Sequence, residues 1–372
     1  MNSDSTLKVA PALRETLRVA TSGARAVEPF ELDGHSFLAV PQLALDAEGS
    51  PPGMNGGNSD TDLLLLRRAA AGYVEHQRIA APGGEDAEFF TIGAAAFLAV
   101  ASIRSGAGPY DYEIPSIVHR WDGTRFEPFQ AISTFAAKQW RHFMIDGRHF
   151  LALAQGVSLP QHAERNRPSM IFVWDGTWFE PFQEIPSQWA YNWHHFTVAG
   201  EHYLAHADHV QPARLYRWDG QAFVEHQELV GEGSRAFATF SADGQLYLAC
   251  AVLNGDSQLF RWDGTRLVPH QVLPGAGGRE LAVVVQAGRI YLVRINFLLG
   301  PREAPTTSLE SQIYRWDNGK LVEVLRFPTS GGTDVAVLPG SDGTLLAVSN
   351  SLSADVRFST DTRVYEFDAG GE

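Results

Sequence analysis

One short motif recurs along this chain, and the spacing of its copies constrains the fold more than any other feature. The motif consists of an apolar or aromatic pair, then Arg or Val, then Trp and Asp, with Gly close behind. Its clear copies are centred on Trp121, Trp174, Trp218, Trp262 and Trp316. Two degenerate copies, at Arg68 and Phe367, complete the series, and neighbouring anchors lie 44 to 54 residues apart. A period of this length indicates an array of small units that bury their apolar faces against one another. The sequence therefore predicts seven units.

Each unit carries the signals of four short strands. The second strand is almost continuously apolar, as in Phe37-Leu38-Ala39-Val40 and Phe150-Leu151-Ala152-Leu153, which indicates that both of its faces are covered. Asp-Gly pairs follow the first strand, as at Asp33-Gly34, and the third strand, as at Asp122-Gly123. We expect a two-residue type I′ hairpin at both places, because Asp-Gly tolerates the positive φ angles of that turn.

These units predict an all-β protein, a seven-bladed β-propeller of four-stranded antiparallel blades. The last unit ends after its third strand, and the chain begins with a segment that aligns with a fourth strand. We expect this N-terminal strand to complete the last blade. The predicted organisation is a flexible leader over residues 1–10 and a single propeller over 11–372, closed by pairing of 11–20 with 313–368.

Composition excludes several classes of partner. The net charge of -14 argues against a protein that binds the phosphates of a nucleic acid. No apolar run approaches the length that spans a membrane, and no secretory signal is visible at the N-terminus. The single cysteine, Cys250, lies in an apolar run and is expected to be a buried thiol. We expect a cytoplasmic protein with no nucleic-acid or membrane partner.

Three motifs carry a resemblance to a known repeat family. They are a Gly-x-x-[Phe/Tyr]-Leu-[Ala/Val] second strand, an aromatic-Arg-Trp-Asp-Gly third strand and a Phe-x-x-[Phe/His]-Gln fourth strand. With these motifs, residues 11–368 resemble the epitempin/EAR (EPTP) repeats of the leucine-rich glioma-inactivated proteins and their relatives. The resemblance implies a seven-bladed propeller and a role in binding a partner.

Length variation is concentrated in the loops of one predicted face. The long loops join second to third strands, at residues 42–61, 102–115, 156–168, 296–311 and 349–360. Variable loops on a rigid scaffold are typical of a binding surface. The alternative is that exposed loops vary in length without a function.

Two blade junctions on this face contain the candidate ligand-binding residues. Lys138 to His142 and Gln188 to His195 enter consecutive blades, with Trp140 aligned to Trp193 and His142 to His195. The candidates are Trp140, Arg141, Trp189, Tyr191, Asn192, Trp193 and His195. Aromatic rings beside Arg, Asn and His suit a protein, peptide, glycan or small-molecule ligand. The alternative is packing between blades, but we expect Trp189 and Tyr191 to be exposed.

The predicted central channel is a candidate ion site. Asp86, Glu280 and Asp334 come together at its mouth with the side-chain amides of Gln139 and Asn192. Oxygen ligands of this kind suit Ca²⁺ or Na⁺. A polar channel filled with water is the alternative.

No motif for a catalytic nucleophile or a phosphate-binding loop is present. The carboxylates of Asp122, Asp175, Asp219 and Asp263 and the histidines His76, His226 and His270 recur at fixed positions of the repeat, so we interpret them as structural. We therefore predict a non-enzymatic recognition module. The alternative is an enzyme for a small molecule that uses His142, His194, His195, Arg141 and Tyr191 in a pocket over the channel.

Overall fold

A computed structural model describes residues 10–49, 52–338 and 344–370, and over this part of the chain it is a ring of seven four-stranded antiparallel sheets. This confirms the predicted seven-bladed propeller. Most of the predicted leader, residues 1–9, lies outside the described residues.

The blades follow the chain in order. Blade 1 contains β2 (Glu28–Leu32), β3 (His35–Val40), β4 (Asp62–Ala69) and β5 (Gly72–Ala80). Blade 2 contains β6 (Gly84–Ile92), β7 (Ala95–Ser102), β8 (Pro115–Trp121) and β9 (Phe126–Ser133). Blade 3 contains β10 (Gln139–Ile145), β11 (Arg148–Ala154), β12 (Ser169–Trp174) and β13 (Phe179–Ile185), with a 3₁₀ helix at Pro160–Arg165. Blade 4 contains β14 (Ala190–Val198), β15 (Glu201–Asp208), β16 (Arg214–Trp218) and β17 (Phe223–Glu228).

The last three blades repeat this plan. Blade 5 contains β18 (Ser234–Ala242), β19 (Gln245–Val252), β20 (Ser257–Trp262) and β21 (Leu267–Leu273). Blade 6 contains β22 (Gly278–Gln286), β23 (Arg289–Asn296), β24 (Ser308–Asp317) and β25 (Lys320–Ser330). Blade 7 contains β26 (Gly332–Leu338), β27 (Thr344–Asn350), β28 (Ser359–Asp368) and β1 (Ala12–Ser22).

The N-terminal strand closes the ring, as the sequence predicts. β1 pairs antiparallel with β28, from Ala12 opposite Asp368 to Ser22 opposite Ser359. The two ends of the described chain therefore share one blade, and the β28 edge is covered.

Apolar clusters fill the wedges between blades and explain the near-continuous apolarity of the second strands. One cluster joins Phe143 and Phe150 of blade 3 to Trp193 and Trp218 of blade 4. Equivalent clusters join the other pairs of neighbouring blades. A second strand contributes alternate side chains to the clusters on its two faces, so it has no face in water.

The repeated glutamine of the fourth strand links neighbouring blades. The Gln130 side chain donates to the Phe179 carbonyl and accepts from the Phe179 N–H, both at 2.9 Å. Gln77, Gln183, Gln227 and Gln271 make the same pair of bonds with the next blade. This explains why the repeat requires an amide, which donates and accepts at once.

The two classes of Asp-Gly turn differ, and the prediction is wrong for one of them. Asp33 and Gly34 both have positive φ, 50° and 75°, which fits the expected two-residue hairpin. After the third strand, Trp121 and Phe126 are separated by four residues, and Asp122 keeps an ordinary φ. There the Asp122 carboxylate accepts N–H groups from Thr124 and Arg125, so its role is to hold the turn by side-chain hydrogen bonds.

The loops of the predicted binding face are packed together rather than loose. Residues from many blades form one apolar cluster there, which includes Leu43, Ile103, Trp189, Phe297 and Leu352. Backbone hydrogen bonds tie each blade entry to the loop after its second strand, as from the Ile103 N–H to the Gly83 carbonyl. A Cβ on Gly83 would lie 2.5 Å from the Arg104 carbonyl oxygen, so this close approach requires glycine.

Candidate ligand site at the mouth of the channel

Two cavities lie along the propeller axis. The axial cavity, of about 410 Å³, is lined by the first strands of the blades. The mouth pocket, of about 270 Å³, lies among the loops of the elaborated face. Arg25, Glu85, Lys138 and Tyr191 line both cavities and so form the boundary between them.

These boundary residues belong to one structural position that recurs in every blade. It lies two residues after the residue at which the chain enters the blade, as Glu85 lies two residues after Gly83. In blades 2, 4, 5, 6 and 7 this position coincides with a shift in strand register. A bulge of this kind redirects a side chain, here toward the axis. We call the side chains at this position the entry ring: Arg25, Glu85, Lys138, Tyr191, Arg235, Arg279 and Thr333.

The entry ring carries more positive than negative charge. Glu85 lies 3.4 Å from the Arg25 guanidinium and 4.0 Å from that of Arg279. Lys138 and Arg235 are 5% and 3% exposed, and neither has a carboxylate within 4.0 Å among the described residues. Buried charges are normally paired, so two buried cations without an ion pair mark this ring as unusual.

Tyr191 lies in the middle of these cations. Its ring is 3.9 Å from the Arg235 guanidinium, 5.1 Å from that of Arg279 and 5.7 Å from the Lys138 ammonium. Burial raises the pKa of the Tyr191 phenol, but Arg235, Lys138 and Arg279 lower it by more, and the net shift is downward.

Burial and neighbouring charges also shift the pKa values of the cations in the entry ring. Burial lowers the pKa of Lys138, and the attraction of Glu85 offsets only part of that effect. Burial also lowers the pKa of Arg235 to about 10. In the opposite sense, burial raises the pKa of Glu85, but Arg25 and Lys138 outweigh it and hold this carboxylate ionised.

An aromatic group stands beside the ring. Trp189, Tyr191 and His209 contact one another, and the Arg302 guanidinium lies 4.5 Å from the Trp189 ring. Asp208 holds this segment in place, because its carboxylate accepts the N–H groups of Gln188 and Trp189 at 2.8 and 2.9 Å. The Trp189 indole N–H finds no acceptor among the described residues.

The walls of the mouth pocket come from the long loops. Leu43, Met54, Ile103, Tyr112, Val157, Leu159 and Trp189 supply apolar surface. Two further cations line it, Arg104 and Arg302. Arg104 is fixed by Ser59 Oγ and the carbonyl oxygens of Asn55 and Gly56, and it stacks on Tyr110 at 3.7 Å.

In six of the seven blades, the residue after the entry-ring position lines the axial cavity, and these residues include the predicted ion ligands. Asp86, Glu280 and Asp334 all line this cavity, with Gln139 and Asn192. Three of these side chains also join neighbouring blades, because Asp86, Gln139 and Asp334 accept the N–H groups of Trp140, Trp193 and Val27 respectively. Within the described ranges, no group of three or more His, Cys, Asp or Glu is arranged to hold a metal ion. The channel Ca²⁺ or Na⁺ stays a prediction.

These carboxyl groups are electrostatically unfavourable to one another. Burial and the neighbouring Glu88 raise the pKa of Asp86 to about 8. Burial and Asp334 raise the pKa of Glu280 to about 8. Deeper in the cavity, Arg141 lies 3.0 Å from Glu88, and Glu88 accepts the His142 N–H.

The structure separates the sequence-predicted ligand residues into two sets. Arg141, Tyr191, Asn192, His194 and His195 line a cavity. Trp140 and Trp193 are 0% exposed and lie in the apolar clusters between blades, so for these two the packing alternative is correct. The expected exposure of Trp189 is wrong, since it is 8% exposed, and Tyr191 is only partly exposed.

The surroundings of the histidines in the enzyme hypothesis keep their imidazoles uncharged. His142 stacks on Phe90 at 4.4 Å and pairs with His149, and His195 repeats this with Phe143 and His202. Burial is the largest cause that lowers the pKa of His142 and His194 to about 3 and of His195 to about 4. Such values are far from the range near neutrality that suits acid–base catalysis.

Sequence reasoning missed the entry ring, although a signal for it is present. A Gly followed by a small residue and then a polar one precedes the first strand of most blades, as in Gly83-Gly84-Glu85 and Gly277-Gly278-Arg279. The next residue is the one that carries the predicted ion ligands Asp86, Glu280 and Asp334. Trp189 occupies the glycine position in blade 4, which makes it distinctive in the aligned repeats.

Comparison with known proteins supports the repeat assignment. A family profile for the EPTP domain matches residues 125–175, 179–219 and 222–263. The human protein called "Thrombospondin-type laminin G domain and EAR repeat-containing protein" is 33% identical over 130 residues, and the mouse protein of the same name matches to the same extent. The aligned segment covers 34% of this chain but only 18% of each relative. The predicted resemblance to EPTP/EAR repeats is thus confirmed.

EPTP/EAR propellers are generally protein-interaction modules. Among the described residues, the chain has no helix with the length and apolar character needed to cross a membrane.

Proposed function

We propose that this EPTP-repeat propeller is a non-enzymatic recognition module that binds a protein, a peptide or a glycan on its loop-rich face. One observation carries the proposal. The long loops emerge on one face and pack into a shared apolar cluster with a pocket among them, whereas the described hairpins of the opposite face have only two or four residues. Variable loops that a rigid scaffold holds in place often carry the binding residues of a protein.

Exposed apolar side chains around the pocket support contact with a macromolecule. Leu45 and Leu299 belong to loops of this face and are 45% and 39% exposed. Exposed apolar side chains on a face that already groups apolar loop residues favour a protein interface.

Photo-crosslinking from the two faces tests the proposal. A photo-reactive residue would replace Gln161, at the mouth pocket, or Thr177, in a hairpin of the opposite face. We expect a discrete protein or glycoprotein to crosslink from position 161 and not from 177. The captured partner must then bind the purified propeller directly.

The purified pair allows a matched mutational test. We expect Leu45→Asp and Leu299→Asp each to weaken binding about tenfold or more, because a charged side chain would have to lose its water in an apolar contact. Val74→Asp is the control, because Val74 is similarly exposed at 46% but lies on the outer strand β5. Equal crosslinking from both faces, or equal loss in the control, would refute the proposed surface.

A further inference from the structure

We propose that the mouth pocket is a binding site for the carboxylate group of a small, partly apolar organic anion. The inference concerns the pocket itself. It holds whether the carboxylate belongs to a free small molecule or to a peptide, and it can fail while protein binding at the loop face stands.

Cations outnumber carboxylates in the lining of the mouth pocket. Arg25, Arg104, Lys138 and Arg302 line the pocket, and Glu85 is the one carboxylate among its lining residues in the described part of the chain. The whole chain has a net charge of -14, so a local excess of cations is not a general property of its surface. An anionic group would compensate the buried charges.

The existing counter-ion of the pocket, Glu85, is already shared between two cations. Glu85 faces Arg25 on one side and Arg279 on the other. Lys138 is left with the face of Tyr191, at 5.7 Å, and with no carboxylate within 4.0 Å among the described residues. Its ammonium has three donors, and a ligand carboxylate at the pocket floor would accept from it.

The walls of the mouth pocket define the rest of the ligand. Leu43, Ile103, Val157 and Leu159 give the pocket an apolar lining, and Trp189 adds an aromatic face with an unpartnered indole N–H. A bare inorganic anion would leave this surface uncovered. An organic acid with an aliphatic or aromatic body would cover it while its carboxylate meets Lys138 and Arg25.

The acidic side chains below set the depth of binding. Asp86, Glu280 and Asp334 face the axial cavity just beyond the entry ring. These groups offer an anion no positive charge, and any of them that ionises would repel it, so the ligand carboxylate stops at the level of Lys138.

Calorimetry with matched acids and amides tests the site. The probes are phenylacetate, indole-3-acetate and 4-methylvalerate, each compared with its neutral amide at constant ionic strength. We expect at least one acid to bind and its amide to bind about tenfold or more weakly, because the amide leaves the buried cations unpaired. No binding by any of the acids, or equal binding of acid and amide, overturns the proposal.

Two pocket variants and a control locate the binding. Lys138→Met and Arg302→Gln should each reduce affinity about tenfold, whereas Arg266→Gln, which removes an exposed charge from a hairpin, should not. Lys138→Met should also raise the melting temperature of the ligand-free protein by about 1–3 °C, since it removes an unpaired buried charge. Unchanged affinity in both pocket variants would overturn the site. A rise in melting temperature together with lost binding cannot come from misfolding.

Peptides distinguish the two sources of the carboxylate. A short peptide ending in Leu-Phe is measured with a free C-terminus and as its C-terminal amide. Binding that requires the free terminus assigns the site to peptide carboxylates. Binding of the small acids alone assigns it to free metabolites, and both results support the carboxylate site.

Discussion

Asp86 and Glu280 show how much the ring geometry changes ordinary side chains. Each would be fully ionised at neutral pH in an unfolded chain, but burial and neighbouring carboxylates raise the pKa of both to about 8. When the pKa of a carboxyl is higher in the folded state than in the unfolded state, the group ionises first in the unfolded state. The free energy of unfolding therefore decreases as the pH rises between the two pKa values. Stability should therefore fall between about pH 4 and pH 8 on account of this cluster.

Asp86→Asn should remove part of that loss. At pH 8 we expect the variant to be more stable than wild type by on the order of 1–2 kcal/mol. At pH 4 the two proteins should be about equally stable, because the Asp86 carboxyl of the folded wild type is then protonated and, like the amide, uncharged. The amide oxygen can still accept the Trp140 N–H, so the link between blades is kept. Urea unfolding at several pH values measures the difference.

Asp122→Asn is the matched control, with the opposite sign. Turn N–H groups from Arg125 and Thr124 lower the pKa of Asp122, so this carboxylate stabilises the fold above its unfolded pKa and stops doing so as pH falls. The Asn variant should lose stability at pH 8 rather than gain it.

The same measurement tests the predicted channel ion. A bound Ca²⁺ or Na⁺ would hold the carboxylates ionised and make Asp86→Asn less stable than wild type at pH 8. Calcium added after chelation would then raise the wild-type melting temperature and not that of the variant. Stabilisation of Asp86→Asn in both chelator and calcium would instead argue against an ion at this position.

At the scale of the element, the fourth-strand glutamine joins neighbouring blades by hydrogen bonds. Gln227 donates to the Leu267 carbonyl at 2.6 Å and accepts from the Leu267 N–H at 3.0 Å. We expect Gln227→Ala to cost about 2 kcal/mol in unfolding free energy, because it leaves two backbone groups without their partner. Gln245→Ala, at an exposed site on β19, should cost less than about 0.5 kcal/mol. Similar costs for the two variants in urea unfolding would contradict this role.

The turns show why identical residue pairs adopted different structures. Asp146-Gly147 and Asp122-Gly123 read alike in the sequence, but the first has two positive φ angles and the second has one. In the second class, Asp122 begins a longer connection, and its carboxylate accepts hydrogen bonds from the turn. Dipeptide preference predicted that a turn occurs, whereas the length of the connection determined its type.

At the scale of the molecule, β1 holds the ring closed. A variant lacking residues 1–22 would leave the β28 edge open and the wedge beside blade 7 incompletely filled. We expect it to aggregate or to populate no stable monomer, as judged by size-exclusion chromatography and circular dichroism. A variant lacking only residues 1–9 should behave as the full chain.

Complementation makes this test reversible. A peptide with the sequence of residues 10–22 should bind the truncated variant in a one-to-one ratio and restore its monomeric state. A truncated variant that is monomeric, with the melting temperature of the full chain, would show that closure by β1 is dispensable.

Blade number, strand order and ring closure were readable from the sequence because each depends on local patterns that recur. The near-continuous apolar second strands, the turn dipeptides and the unmatched terminal strands repeat or complement one another, so seven units support one interpretation. Structural roles for Asp122 and His76 were equally readable, because each recurs at a fixed position of the repeat. In the structure, each of them makes a hydrogen bond to a turn.

The site was less readable, because it depends on side chains that meet only around the axis. Arg25, Lys138, Arg235 and Arg279 lie in four different blades, and the short motif at most blade entries does not show that these side chains meet at the axis. Likewise, the sequence could not show that Trp140 and Trp193 turn into the wedges between blades while Tyr191 turns toward the channel. Neighbouring residues of a strand point in opposite directions, and the entry bulge shifts that alternation by one. The repeat pattern thus determined the scaffold, and the closure of the ring decided which charges share the pocket.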